Sequence, residues 1–221
     1  MRFAFPVLIG LVGTLILISL GIWQVQRLAW KEAVLAEIDA RIADAPVAVP
    51  AIPDPGAHTY LPVTASGAFT ADELHVLVST KDDGPGFRII TAFETDAGRR
   101  IMVDRGFVPS RAKDVTRPGR SATIAGNLHW PDEIDSFTPE PSPSENIWFA
   151  RDVPAMADAL KTEPVLMILR ESSNAFSEIR PLPVDSRGIP NDHLEYAVTW
   201  FGLALVWVLM TGFWLYRRSK G

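Results

Sequence analysis

Two runs without a single charged residue constrain this chain more than anything else in it. Residues 3–23 and 196–216 each hold 21 positions with no Asp, Glu, Lys, Arg or His. At 1.5 Å per residue a helix of that length spans roughly 31 Å, the thickness of a bilayer's hydrocarbon core. In that medium every backbone amide needs an internal partner, and a helix supplies them all. Pro6 falls in the first turn, where its missing N–H costs little. The first run is long for the apolar part of a signal peptide and no A-x-A cleavage pattern follows it, so a retained anchor is expected. The second run ends in the basic stretch Arg217-Arg218-Ser219-Lys220.

Charge divides the chain at the same places. All 26 acidic residues lie between Glu32 and Glu195, while Arg2, Arg217, Arg218 and Lys220 stand outside residues 24–195. That middle carries 17 basic against 26 acidic groups, a net −9. Such an acidic surface argues against nucleic acid as a partner, while the two apolar runs make membrane lipid the expected one. An even number of spans puts both ends on one side. A loop of about 170 residues escapes the positive-inside count, which places residues 1–2 and 217–221 in the cytoplasm as short tails and residues 24–195 in the periplasm. The start lies too close to the first span for an organelle transit peptide, so a multi-pass protein of the bacterial cell inner membrane is expected. With no cysteine, disulfides, c-type haem attachment, a thioredoxin-like pair and thiolate metal sites are all excluded. Met102, Met156 and Met167 are too scattered to replace them with a Met-rich copper motif.

Beyond the first span, Leu28, Leu35, Ile38 and Ile42 keep helical spacing, which carries the helix to about Ala43. Residues 45–62 hold five prolines and read as an extended linker. From 63 to 171 the pattern is β-rich. Strands are expected at 74–80, 87–95, 99–108, 122–130, 147–151 and 165–170, with a hairpin across Asp96-Ala97-Gly98. A helix fits 153–160, capped by Asp152 with Pro154 in its first turn. The fold class is therefore two transmembrane helices flanking an α+β extramembrane domain, a mostly antiparallel small β-barrel or sandwich.

Motifs of catalysis are missing: no phosphate loop, no nucleophile elbow, no H-E-x-x-H spacing. The protein is not expected to be an enzyme. His58, His75 and His129 are scattered and read as ordinary structural residues, and Asp82-Asp83 as a solvated turn. His193 differs because of its position, three residues before the second run, where Asp192 and Glu195 have capping-box spacing. His193, Trp200, Trp207 and Trp214 fall seven apart, so successive members drift only about 20° around a helix. Two readings fit that stripe. Trp200 and Trp214 sit where an interfacial belt favours tryptophan, and Trp207 packs on the first helix. Alternatively the stripe is a site for a flat apolar cofactor such as haem, with the imidazole on the iron.

Three strings resemble the Surfeit locus protein one family, membrane factors for the assembly of haem-copper oxidases. Residues 21–31 (GIWQVQRLAWK) are similar to its juxtamembrane signature through Trp23, Gln24, Arg27, Trp30 and Lys31. Residues 102–109 (MVDRGFVP) match its strand-and-turn block at Arg105 and Gly106. Residues 191–201 (NDHLEYAVTWF) match the entrance to its second helix at His193, Tyr196, Thr199 and Trp200. The family more often has Asn-Arg-Gly-Trp at 104–107 and Asn-Asn-His at 191–193. The resemblance implies a role in cytochrome c oxidase assembly: supplying haem a to the catalytic subunit of an aa3-type oxidase, as carrier or as cofactor-free scaffold, with haem a synthase a further partner. It makes His193 an axial ligand of the haem iron and places Tyr196 and Trp200 along the cofactor-binding site. Arg180 and Arg187, just upstream, are in position by sequence to meet the propionates. Trp23, Trp30, Arg27 and Lys31 either anchor the interface or complete the pocket, and Arg105 either holds a turn or meets a partner. A copper-delivery factor would need soft ligands that are missing here.

Overall fold

The structure is a computed structural model that describes residues 4–175 and 177–220. The expected N-terminal tail, residues 1–2, lies outside them, as do Phe3 and Gly221. In chain order the elements are α1 (Ala4–Ala43), β1 (Val47–Ala48), α2 (Pro55–His58), β2 (Pro62–Thr80), β3 (Gly84–Thr95), β4 (Arg100–Pro109), β5 (Arg120–Leu128), α3 (Val153–Leu160), β6 (Leu166–Ser172) and α4 (His193–Ser219). They group into two units, one of residues 1–38 with 186–221 and the other of residues 39–185.

The first unit is a pair of helices. The stretch of α1 from Ala4 to Ile38 has no proline after Pro6 to break it, and α4 begins three residues after Pro190. Both are long and apolar enough to cross a membrane. Their outward sides leave Leu8, Leu11, Leu15, Leu205, Leu209 and Met210 exposed, a surface that water would not tolerate over such an area and that lipid covers. Where the helices meet, the residues are small. Gly10 and Gly21 are buried on α1, Ala197 and Ala204 on α4. A Cβ at Gly10 would meet Thr211 at 2.5 Å, one at Gly13 the Trp207 indole at 2.5 Å and one at Gly21 the Phe201 ring at 2.7 Å. Small residues let backbones approach closely, which is how helices associate when lipid removes the hydrophobic drive.

The second unit is an α+β domain around a mixed sheet of six strands. β2 pairs antiparallel with both β3 and β5, β3 with β4 and β5 with β6, while β4–β6 and β1–β2 run parallel. Pairing thus passes from β2 through β3, β4, β6 and β5 and back to β2. A register shift between Phe69 and Glu73 bends β2 so that one strand serves two neighbours. Both sheet faces are covered, and in β4 every residue from Ile101 to Val108 is buried, the charged Asp104 and Arg105 included. Phe69, Phe93, Ile101, Val103, Ile124, Leu128 and Met167 pack together on one face. The other face, with Ile90, Ala92, Met102 and Leu166, lies under Val153, Met156, Ala157 and Leu160 of α3. Met156 is fully buried, and burial of a side chain that size stabilises by about 2–3 kcal/mol.

α3 spans the expected residues with the expected cap, since the Asp152 side chain accepts from Ala155 N. Elsewhere the structure departs from the expected elements. Residues 45–62 carry two short elements: β1 pairs with β2, and α2 is a single turn whose cap Asp54 accepts from Ala57 N. β2 begins at Pro62, twelve residues before the expected strand start at Leu74. Residues 147–151 form no strand of their own. Trp148 instead makes an isolated bridge with Val76, its N–H donating to His75 O at 2.9 Å and its carbonyl accepting from Leu77 N at 2.7 Å. The end of α1 docks within this unit, because the Ile42 carbonyl accepts from Asn127 Nδ2 at 3.1 Å and from Arg170 at 3.3 Å.

Candidate functional site

His193 is the first residue of α4, with Asp192 as the N-cap. The capping box does not form: Asp192 makes no side-chain cap bond, and only its carbonyl engages the turn, accepting from Tyr196 N at 3.2 Å. The half-buried imidazole is held from the other helix. His193 Nδ1 lies 2.8 Å from Gln24 Oε1, and Gln24 is 8% exposed. An amide oxygen only accepts, so the Nδ1–H donates to it, and in the neutral form of the ring the lone pair lies on Nε2. No bond to Nε2 is made by the described residues.

Tyr196 and Trp200 follow at i+3 and i+7, within about 60° of His193 around the helix. Trp200 is half-buried beside Ala197, while Tyr196 is 55% exposed. Trp207 is accounted for by packing: its indole N–H donates to Gly10 O at 3.1 Å and its ring covers Gly13. In hydrocarbon that N–H needs a protein acceptor. Trp214 carries the Arg218 guanidinium 4.9 Å over its ring, as an interfacial tryptophan does. The stripe of four therefore divides, with only its upper part, His193 and Trp200, free for a ligand.

Of the juxtamembrane signature, Trp23 and Trp30 are 50% and 52% exposed, and Arg27 lies 4.4 Å over the Trp30 ring. Gln24 is the member that faces His193. Its type alone does not single it out, because a glutamine carries no chemistry of its own. Its signal is positional, a polar residue three places beyond Gly21 on the buried stripe of small residues.

The strand block of the second unit is structural. Asp104, 1% exposed, accepts from Gly106 N at 3.0 Å and from Arg88 at 2.8 Å. Arg105 is buried with its guanidinium 4.3 Å over the Phe69 ring, so it offers no surface to a partner. Burial lowers its pKa to about 10, partly countered by Glu73, and it stays charged at neutral pH. Gly106 has φ +115, and a Cβ there would meet Arg180 O at 2.1 Å. Phe107 and Arg180 exchange two backbone bonds across this close approach. Arg180 also pairs with Asp83 and lies over Phe107, which commits the guanidinium within the domain. The other histidines serve structure. His58 Nδ1 accepts from Asp54 N, His75 Nε2 meets Glu73 at 2.8 Å, and His129 stacks on Tyr60 at 5.4 Å. Burial, helped by Arg151, lowers the His129 pKa to about 4.

Two apolar end helices, an α+β domain between them in sequence and an imidazole held at the start of the second helix define the class: a membrane-anchored protein with an extramembrane domain. A model of the SURF1 family matches residues 11–205. Surfeit locus protein 1 of Homo sapiens is 31% identical over 212 residues, covering 84% of this chain and 69% of that one. The Xenopus tropicalis protein of the same name is 32% identical over 213 residues, covering 84% of this chain and 67% of its own. A SURF1-like protein of Rickettsia felis is 30% identical over 223 residues, covering 96% of each. The chain belongs to the SURF1 family, which has bacterial members.

Proposed function

We propose that this protein is an assembly factor for an aa3-type haem-copper oxidase, which binds haem a as cargo and assists its delivery to the catalytic subunit. His193 is the axial ligand through Nε2, and Tyr196 and Trp200 line the site. One observation carries the reading: the hydrogen bond from His193 Nδ1 to Gln24 Oε1 at 2.8 Å. It orients an interfacial histidine and, in the neutral ring, leaves the lone pair on Nε2, the donor that haem iron takes. A single axial bond without covalent attachment suits a carrier that has to let go. The protein performs no catalysis in this reading.

The same reading includes a location. The helices are anchored in the bacterial inner membrane with both ends cytoplasmic, and the acidic domain faces the periplasm. The ring-like order of strand pairing supports a small barrel as the domain's form. The oxidase catalytic subunit and haem a synthase are the partners on either side of the transfer.

The test is to express the full chain where haem a is made, purify it and compare Soret absorbance per protein with that of His193→Ala. Haem content is expected to fall by at least about tenfold, the scale of losing a ligand-shell contact. Equal haem in the mutant overturns the ligand assignment. A wild-type protein that carries no haem supports a cofactor-free scaffold instead.

A further inference from the structure

We infer that Gln24 is the positioning residue for His193: its neutral amide fixes the imidazole tautomer and sets how strongly Nε2 donates to iron. This rests on haem being the cargo of His193.

A primary amide has no place in an apolar helix contact unless its polar atoms are used, because a buried unpaired group costs about 1–3 kcal/mol. Gln24 is the one polar side chain among the buried residues of α1, beside Gly10 and Gly21. Its oxygen finds His193 Nδ1 at 2.8 Å, across 169 positions of sequence. The bond does two things to the ring. It selects the Nδ1–H tautomer, and it holds the ring plane, so that Nε2 points in one direction.

The kind of partner also matters. A carboxylate on Nδ1–H makes the imidazole a more basic ligand, whereas an amide oxygen leaves it close to a free neutral ring. This chain uses both. His75, buried in the domain, is paired with the Glu73 carboxylate at 2.8 Å. His193 is paired with an amide. An amide-backed ligand binds firmly enough to orient the cargo and less firmly than a carboxylate-backed one, a compromise fitted to transfer.

The experiment compares wild type, Gln24→Leu, Gln24→Glu and His193→Ala as full chains in detergent, with hemin titrated in. Three readouts are taken: hemin Kd, the midpoint potential of the bound haem, and the His193 tautomer by nitrogen-15 NMR in the cargo-free protein. Gln24→Leu is expected to mix the tautomers and raise Kd about ten- to a hundredfold, the range for losing such an outer contact. Gln24→Glu is expected to keep the tautomer, bind at least as tightly as wild type and lower the potential. Opposite directions from two substitutions at one position separate positioning from simple damage to the helix pair. Wild-type Kd and tautomer in Gln24→Leu overturn the inference, as does an unchanged potential in Gln24→Glu should the leucine variant fail to fold. Wild-type hemin binding by His193→Ala overturns the haem reading itself, and the tautomer measurement still decides whether Gln24 controls the ring.

Discussion

Replacing Gly106 by alanine tests whether the strand block is a clamp. Two costs add at this position. A φ of +115 is a backbone region that L side chains rarely adopt, and strain of that kind costs about 1–3 kcal/mol. The new Cβ would also fall 2.1 Å from Arg180 O and 2.6 Å from Pro181 Cα. Those are backbone atoms, which cannot swing aside, so the 180–181 segment has to move and overpacking adds another 1–3 kcal/mol or so. Movement endangers the Phe107 N–Arg180 O and Arg180 N–Phe107 O bonds, at 2.7 and 2.9 Å. A loss of about 4 kcal/mol is expected, a Tm lower by roughly 10 °C for a domain this size. Gly98→Ala is the control, since φ there is +78 and nothing lies within 4 Å of its Cβ. It should cost only about 1 kcal/mol, from backbone strain alone. Thermal unfolding of the full chain in detergent measures both, and amide exchange at Phe107 and Arg180 reports the clamp directly. Equal losses for the two variants, or unaltered exchange at Arg180, would refute the close approach as the reason for glycine.

Two further outcomes are expected. Trp207→Phe should weaken helix pairing by about 1 kcal/mol, the value of one interhelical hydrogen bond in lipid, while leaving haem per protein unchanged; Trp200→Ala should lower haem without that loss, and the two are separated by steric-trapping stability and Soret absorbance. His129, with its folded pKa near 4 against about 6.5 unfolded, should make the domain less stable as pH falls from 6.5 to 4, because the unfolded chain takes up a proton that the folded one refuses. The loss approaches roughly 3 kcal/mol and is complete below pH 4, where both states are protonated; a denaturant midpoint as flat with pH as that of His129→Phe would contradict it.

The parts of this fold that were legible are those written in one dimension. Absence of charge over 21 positions marks each apolar helix, and Asp152 followed by Pro154 marks the start of α3 before the first tertiary contact is considered. What escaped depends on partners far away in sequence. The first half of β2 contains Ser66 and Gly67, poor strand signals, and is held as a strand by β5 some sixty positions on. Trp148 reads as the centre of a strand, yet its backbone partners, His75 and Leu77, leave it only a bridge. At the candidate site His193 was visible through its place at the edge of an apolar run. Gln24 was visible only as one letter of a string, because its hydrogen-bond partner lies on the helix opposite.

That helix pair explains why a polar bond belongs at the charge boundary. Gly10, Gly21, Ala197 and Ala204 give α1 and α4 a close contact, but small residues at regular spacing pack almost as well after a slip of one turn. Two polar contacts break that degeneracy. Trp207 N–H finds Gly10 O deep in the apolar span, and Gln24 finds His193 at its edge. A slip of about 5.4 Å would leave the indole N–H without a partner in a medium that supplies none, and would break the Gln24–His193 bond at the edge. A single polar pair in an apolar seam is a known way to fix register. The bond that orients the His193 ring is therefore also one of the two that align the helices, and the imidazole keeps its direction as long as that alignment holds.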